Sequence, residues 1–269
     1  MALELMYITN DPAVALIAEK YGVKRIWIDL ETLGKEERQK NMNSVKSHHS
    51  IHDIEVISNM LTESELMVRI NPWNPNSLLE IENVISAGAD RIMLPMWKTP
   101  DEAHAFLAAV NKRVKTTLLL ETKAAVECLD EVLNDPLLDE IHIGLNDLHL
   151  SCGLKFMFEL LSNGTVEALC RKMKHAGISY GFGGIARIGE GLLPAEKIIM
   201  EHYRLGSTRA ILSRSFCEAK FTKNFETEFR YEMKRLRDYE HSLEGLCEND
   251  YVFNHETVVK LVNDIVRKQ

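Results

Sequence analysis

The chain repeats one unit eight times: a short apolar run followed by a stretch with helical periodicity. That rhythm limits its possible folds more than any other feature. The runs begin near Leu5 (LMYIT), Arg25 (RIWIDL), Leu66 (LMVRI), Arg91 (RIMLPM), Thr116 (TTLLL), Glu140 (EIHIGL), Ser179 (SYGFGGI) and Arg209 (RAILS). They are almost continuously apolar, where a half-exposed antiparallel strand would alternate apolar and polar. Parallel strands covered by helices are therefore expected. Eight such units in 269 residues predict an α/β fold, a (β/α)8 TIM barrel. A doubly wound open sheet would have the same rhythm and is the alternative.

The segments between the runs carry helix-start signals. "TPDE" at Thr99 to Glu102 offers an N-cap threonine, a proline at the first helical position and a glutamate three residues after the cap. "NDPAV" and "LLPAEK" place Pro12 and Pro194 in first turns. After Glu121, the residues Ala125, Val126, Leu129, Val132 and Leu133 form a helical stripe that stops at Asn134 to Pro136. The longest interruption, Gly34 to Asp53, is polar and is expected to form a loop with some helix on the active side. Beyond Phe216 the pattern is helical to the end. One stripe is Phe225, Phe229, Met233 and Leu236; another is Val258, Val259, Val262, Ile265 and Val266. The reading is thus a catalytic barrel over 1–219 and additional C-terminal helices over 220–269. These helices either cover the barrel or pack on a neighbouring subunit.

Composition removes several function classes. The formal charge of −8 gives no basic footprint for nucleic acid or an anionic membrane. An anionic metabolite stays open, because a local field can oppose the net charge. The five cysteines are odd in number and include no C-x-x-C pair, so free thiols in a reducing, cytoplasmic compartment are expected, with no zinc site. "MALELMYITNDP" lacks the basic and apolar regions of a signal peptide, and no apolar window is long enough for a membrane span.

In a parallel barrel the carboxyl ends of the strands share one face, and chemistry gathers there. The second run ends with Asp29 and Glu31, the third with Arg69 and Asn71, the fifth with Glu121, the sixth with Asn146 and Asp147, and the eighth with Ser213 and Arg214. Glu121 and Asp147, from separate strands, suit Mg²⁺. That ion takes one or two protein carboxylates and leaves its other positions to water and substrate oxygens. Asp29 and Glu31 could order water around the ion. Arg69 could pair with a carboxylate or stabilise a developing enolate oxygen. Together these groups fit a 2-oxo acid substrate.

Each residue also has a plainer reading. Glu121 or Asp147 could cap the helix that follows, and Arg69 could be a structural partner of Glu31. The convergence of these groups on one face favours the metal. His48, His49 and His52 form a cluster that suits a solvated loop, yet such a loop over the mouth could deliver a general base. "GFGGIARIGEG" lacks dinucleotide and Walker spacing and reads as turns. Lys123 suggests a Schiff base, but its place in a first helical turn makes it a surface charge. Trp73 and Trp97 could wall the pocket or simply pack.

"RIWIDLE", "VRINP", "DRIMLPMWKTPDEA", "LLLETKAAVE" and "IGLNDLHLSCG" resemble, in order and spacing, the HpcH/HpaI aldolase and citrate lyase β-subunit family, from about Arg25 to Phe216. The resemblance implies a pyruvate/phosphoenolpyruvate-type barrel that makes or breaks a carbon–carbon bond through an enolate. Its ion would be Mg²⁺, or Mn²⁺ or Co²⁺. The family's metal-binding acids match Glu121 and Asp147, and its substrate-binding arginine matches Arg69. The strand end at Leu94, Pro95 and Met96, with Trp97 beyond, is expected to border the oxo acid. A homo-oligomer, trimer or hexamer, is also implied. Thr32 stands where the aldolase branch has histidine, which leaves His48 and His49 as the candidate bases. The expected function is a metal-dependent lyase or aldolase acting on a pyruvate-like 2-oxo acid and an aldehyde. The alternatives are a malyl- or citramalyl-type acyl-CoA thioester lyase and a catalytically idle barrel with a binding role.

Overall fold

The computed structural model describes residues 2–34, 49–213, 215–217 and 224–268. Eight strands pair in parallel and in chain order, and β8 closes back on β1. They are β1 (Glu4–Ile8), β2 (Arg25–Asp29), β3 (Glu65–Arg69), β4 (Arg91–Leu94), β5 (Lys115–Leu120), β6 (Glu140–Ile143), β7 (Ser179–Ile185) and β8 (Arg209–Leu212). The closed ring excludes the open-sheet alternative.

Strand alternation sorts the side chains into two compartments. Ile26, Ile28, Leu66, Val68, Ile92, Leu94, Leu118, Leu120, Ile141 and Ile143 face outward into one large core shared with the helices. A second, separate cluster of Met6, Trp27, Met67, Met93 and Leu119 fills the barrel interior. Counting by twos along each strand gives three interior tiers. Below the apolar tier lie Arg25, Glu65, Arg91, Thr117, Glu140 and Arg209. Above it lie Asp29, Arg69 and Glu121.

The lower tier is a buried charge network. Glu140 receives Arg25 through both terminal nitrogens, at 2.7 and 3.2 Å, and Arg209 Nε lies 2.7 Å from its Oε2. Arg91 approaches to 3.7 Å and donates to Thr117 Oγ1 at 3.2 Å. Glu65 takes Arg25 and Arg91 at 2.6 and 2.9 Å. Gly181 in β7 has to be glycine, because a Cβ there would sit 2.4 Å from the carbonyl oxygen of Arg209.

The cap signals are realised where they fix helix entry. Asp11 accepts from Ala13 and Val14 to start Pro12–Lys20, and Thr99 with Glu102 forms the capping box of Pro100–Val110. Pro194 stands one residue earlier than expected, as the N-cap of Ala195–Leu205. The stripe after Glu121 is broken at Cys128 into two short helices, Lys123–Glu127 and Leu129–Val132. The C-terminal helices cover this chain's own barrel. Phe225–Ser242 sets Phe229 edge-to-face against Tyr7 and Phe216 and accepts Leu3 N–H on Glu240. Glu248–Arg267 packs on Ala195–Leu205, where the buried Glu201 meets Asn254 and His255. Among the described residues no helix is long and apolar enough to cross a membrane.

Candidate active site

The upper tier starts from a strand pair. Asp29 and Arg69 are register partners on β2 and β3, and both side chains point into the barrel mouth. The guanidinium donates through Nε to Asp29 Oδ1 at 2.9 Å and through a terminal nitrogen to Oδ2 at 2.8 Å. The same terminal nitrogen lies 3.3 Å from Glu31, and the guanidinium carbon sits 5.1 Å from the centre of the Trp27 ring. Burial opposes the charge on Arg69, but Asp29 and Glu31 overcome it and hold the guanidinium protonated well above its usual range. The sequence offers Glu31 as the structural partner of Arg69, yet the two-point pair with Asp29 is the stronger contact.

Glu121 leaves β5 across the mouth and is buried. It does not cap the next helix. Thr122 does that, accepting from Ala125 N–H, and Asp147 lies inside the first turn of Leu145–Ser151 rather than at its cap. Glu121 Oε1 accepts the N–H of Met96 at 3.1 Å. Burial pushes its carboxyl up to about 8, and Asp147 adds to the rise; Arg69 offsets part of it, and Glu31 contributes a smaller increase. Glu121 thus lies within electrostatic reach of Asp147, Arg69 and Glu31 together.

The β2 exit is shaped by Asn71. Its Oδ1 accepts the N–H groups of Thr32 and Leu33, each at 2.9 Å, and its amide donates to Glu80 at 2.9 Å. His49 enters beside it: Nδ1 accepts Asp29 N–H at 2.9 Å. Trp27 O takes the N–H of Thr9, the residue just past β1, so the main chain of Asp29, two residues on, faces the same side, where β1 has ended. His49 therefore fills the next rung of the β1–β2 ladder. With Nδ1 accepting, a neutral ring carries its proton on Nε2.

The remaining expectations divide clearly. Leu94, Pro95 and Trp97 have buried side chains, so the β4 exit offers the mouth its main chain and the half-buried Met96. His48 and Arg214 lie outside the described residues. His52 is exposed and faces Glu55, and Lys123 is a surface charge near Glu127. Ser213 hydrogen-bonds Ser215. The glycine-rich segment divides: Gly181 to Ile185 belong to β7, and the residues from Ala186 to Gly191 form the expected turns.

A divalent cation suits the donor set. Glu121 and Asp147 repel one another across the mouth, and an oxygen-seeking ion between them would remove that penalty. Among the described residues no group of three or more His, Cys, Asp or Glu is arranged to hold a metal. The match is therefore to an ion that takes two carboxylates and completes its shell with water and substrate.

The model of the HpcH/HpaI aldolase/citrate lyase family matches residues 5–179. Among curated proteins none matches. An HpcH/HpaI aldolase/citrate lyase family protein from Burkholderia cenocepacia J2315 is similar at TM-score 0.63 and 14% identity, over 89% of this chain and 95% of that one. The citrate synthase SbnG gives TM-score 0.61 and 14% identity, over 90% and 94%. An HpcH/HpaI aldolase from Desulfitobacterium hafniense DCB-2 gives 0.58 and 15%, over 79% and 86%. At these identities the structures speak for the fold.

Proposed function

The chain belongs to the HpcH/HpaI aldolase/citrate lyase family, and from that premise we propose that it is a divalent-metal-dependent carbon–carbon lyase acting on a pyruvate-like 2-oxo acid and an aldehyde. A lyase or aldolase activity follows from the family; the metal, the oxo acid and the aldehyde are our reading. One observation carries it: Glu121, just past β5, and Asp147, in the first helical turn after the adjacent β6, share a mouth in which Arg69 also acts on Glu121.

Glu121 and Asp147 would hold Mg²⁺, Mn²⁺ or Co²⁺. When bound, the ion supplies Lewis-acid polarisation of the carboxylate and keto oxygens of the substrate. Arg69 faces the enolate charge as it develops. Its two-point pair with Asp29 fixes the guanidinium plane before substrate arrives, so little reorganisation is needed. Glu31, 3.3 Å from the same nitrogen, supports that orientation. His49, whose Nδ1 accepts Asp29 N–H at the β2 exit, remains our candidate acid–base group for the aldehyde step. The buried side chains of Leu94, Pro95 and Trp97 stiffen the β4 exit that borders the oxo acid.

The test is deuterium exchange into the methyl group of pyruvate with Mg²⁺ or Mn²⁺ present. The wild type should exchange, and chelation or Glu121→Gln should stop it. Undiminished exchange in Glu121→Gln refutes the assignment. Micromolar binding of acetyl-CoA, together with cleavage of a malyl-type thioester, would move the substrate to the acyl-CoA class. A protein with no metal-dependent ligand binding would be an idle barrel.

A further inference from the structure

Glu121 is gripped from both neighbouring strands. On the β4 side, Met96 donates its N–H to Oε1 at 3.1 Å from a main chain with φ of 54°. Asn111 and Lys112 are the other non-glycine residues with positive φ among the described residues, and they follow the end of a helix, where that conformation is ordinary. Met96 has no such excuse, since it stands at a strand exit. The next residue is anchored: Trp97 is buried, and its carbonyl accepts Thr122 Oγ1 at 2.8 Å. Residues 96–97 and 121–122 are thus tied by two successive hydrogen bonds.

On the β6 side stands Gly144. Its φ of −82° is open to any residue, so its backbone does not require glycine. The space does. A Cβ at 144 would lie 2.9 Å from Glu121 Cβ and 2.9 Å from Oε2. The oxygen could swing away, but the Cβ, fixed to the main chain just past β5, could not. Gly144 also opens the turn that carries Asp147 three residues later. Bulk at 144 would therefore push Asp147 and Glu121 apart.

We propose that Met96 and Gly144 are positioning residues for the Glu121–Asp147 pair: the left-handed Met96 main chain aims the Glu121 carboxylate, and the bare Gly144 lets Asp147 close on it. The inference rests on the metal reading above and deepens it, because it makes the spacing of the two carboxylates, and so the hold on a divalent cation, depend on two residues that do not themselves contact the ion.

Mn²⁺ binding to the metal-stripped full chain, followed by electron paramagnetic resonance and paired with a thermal melt, tests it. Met96→Gly keeps the positive φ without strain and should bind within about threefold of wild type. Met96→Val, whose branched side chain expels that conformation, should bind at least about tenfold more weakly while remaining folded. Gly144→Ala should do the same, and it decides the matter alone if Met96→Val does not fold. Folded Met96→Val and Gly144→Ala proteins that bind Mn²⁺ as tightly as wild type would overturn the inference and leave the metal reading standing. A wild type that binds no Mn²⁺ would overturn both.

Discussion

Glu140→Gln is the sharpest test of how this barrel is held together. Glu140 is about 1% exposed and faces the guanidinium groups of Arg25, Arg91 and Arg209. Burial alone would raise its carboxyl, but the arginines, Arg25 foremost, bring it down to about 2 from the usual 4.5. At about 1.4 kcal/mol per pH unit, that drop stands for roughly 3 kcal/mol of stability at neutral pH. Removing one partner from a buried ion pair independently costs about 3–5 kcal/mol. The two routes agree, so Glu140→Gln should lose about 3 kcal/mol at pH 7, a fall in Tm of about 10 °C for a chain this long. The sign fixes the pH window. A carboxyl whose folded value is depressed stabilises above its unfolded value and loses that stability as pH falls through the folded one. The gap between wild type and variant, measured by urea unfolding, should therefore be full above about pH 4.5 and shrink towards pH 2. A loss under about 1 kcal/mol at pH 7, or a gap that does not change with pH, would refute the view that charge, rather than packing, closes the floor of the barrel.

The site makes the opposite prediction for its own acid. Glu121 is raised to about 8, so its charge destabilises the fold increasingly from pH 4.5 upward. Chelated Glu121→Gln protein should therefore be up to about 4 kcal/mol more stable than wild type at pH 7.5, three pH units above the usual value at about 1.4 kcal/mol each, as chemical denaturation would show. Arg69→Lys removes the two-point pair with Asp29 and should cut kcat at least about a hundredfold with little change in KM, read by steady-state kinetics once a substrate is found. His49→Ala should leave metal-dependent pyruvate deuteration intact while slowing carbon–carbon bond formation about tenfold to a hundredfold, because we assign His49 to the aldehyde step. Oxalate should bind in calorimetry with Mg²⁺ and give no heat after chelation; equal binding in both would remove the ion from substrate recognition.

Most of the fold was legible because each strand states its own compartment. "RIWID" reads Arg25, Trp27 and Asp29 inward and Ile26 and Ile28 outward, and the partner strand "ELMVR" repeats the pattern with Glu65, Met67 and Arg69. Element boundaries failed where chemistry differs from periodicity. The stripe after Glu121 predicts one helix, yet Cys128 ends the first piece and begins the second. The site was legible as a set of acids and one arginine at strand ends, but their pairing was not. Which acid Arg69 meets depends on a register that places Asp29 directly beside it. The positioning roles of Gly144 and Met96 left no compositional trace, since the sequence marks Met96 only as a border of the oxo acid and singles out nothing at Gly144. Two signals could have found them: a glycine three residues before Asp147, and a methionine two residues beyond a strand that borders Glu121.

The three interior tiers explain why chemistry belongs at one end of the barrel. At the lower end Arg25, Arg91 and Arg209 stand against Glu4, Glu65 and Glu140, so positive and negative charges nearly cancel. The tier of Met6, Trp27, Met67, Met93 and Leu119 then separates that floor from the mouth with apolar atoms. At the mouth Asp29, Glu31, Glu121 and Asp147 face Arg69, which pairs with Asp29 at 2.8 Å and Glu31 at 3.3 Å. An excess of negative charge in a partly buried space is costly, and without a cation Glu121 answers by holding its proton. A divalent ion would release that proton and turn a mouth that repels a 2-oxo acid into one that accepts it. The imbalance that weakens the fold at this end is thus the property that would make it selective for an anion arriving with a metal.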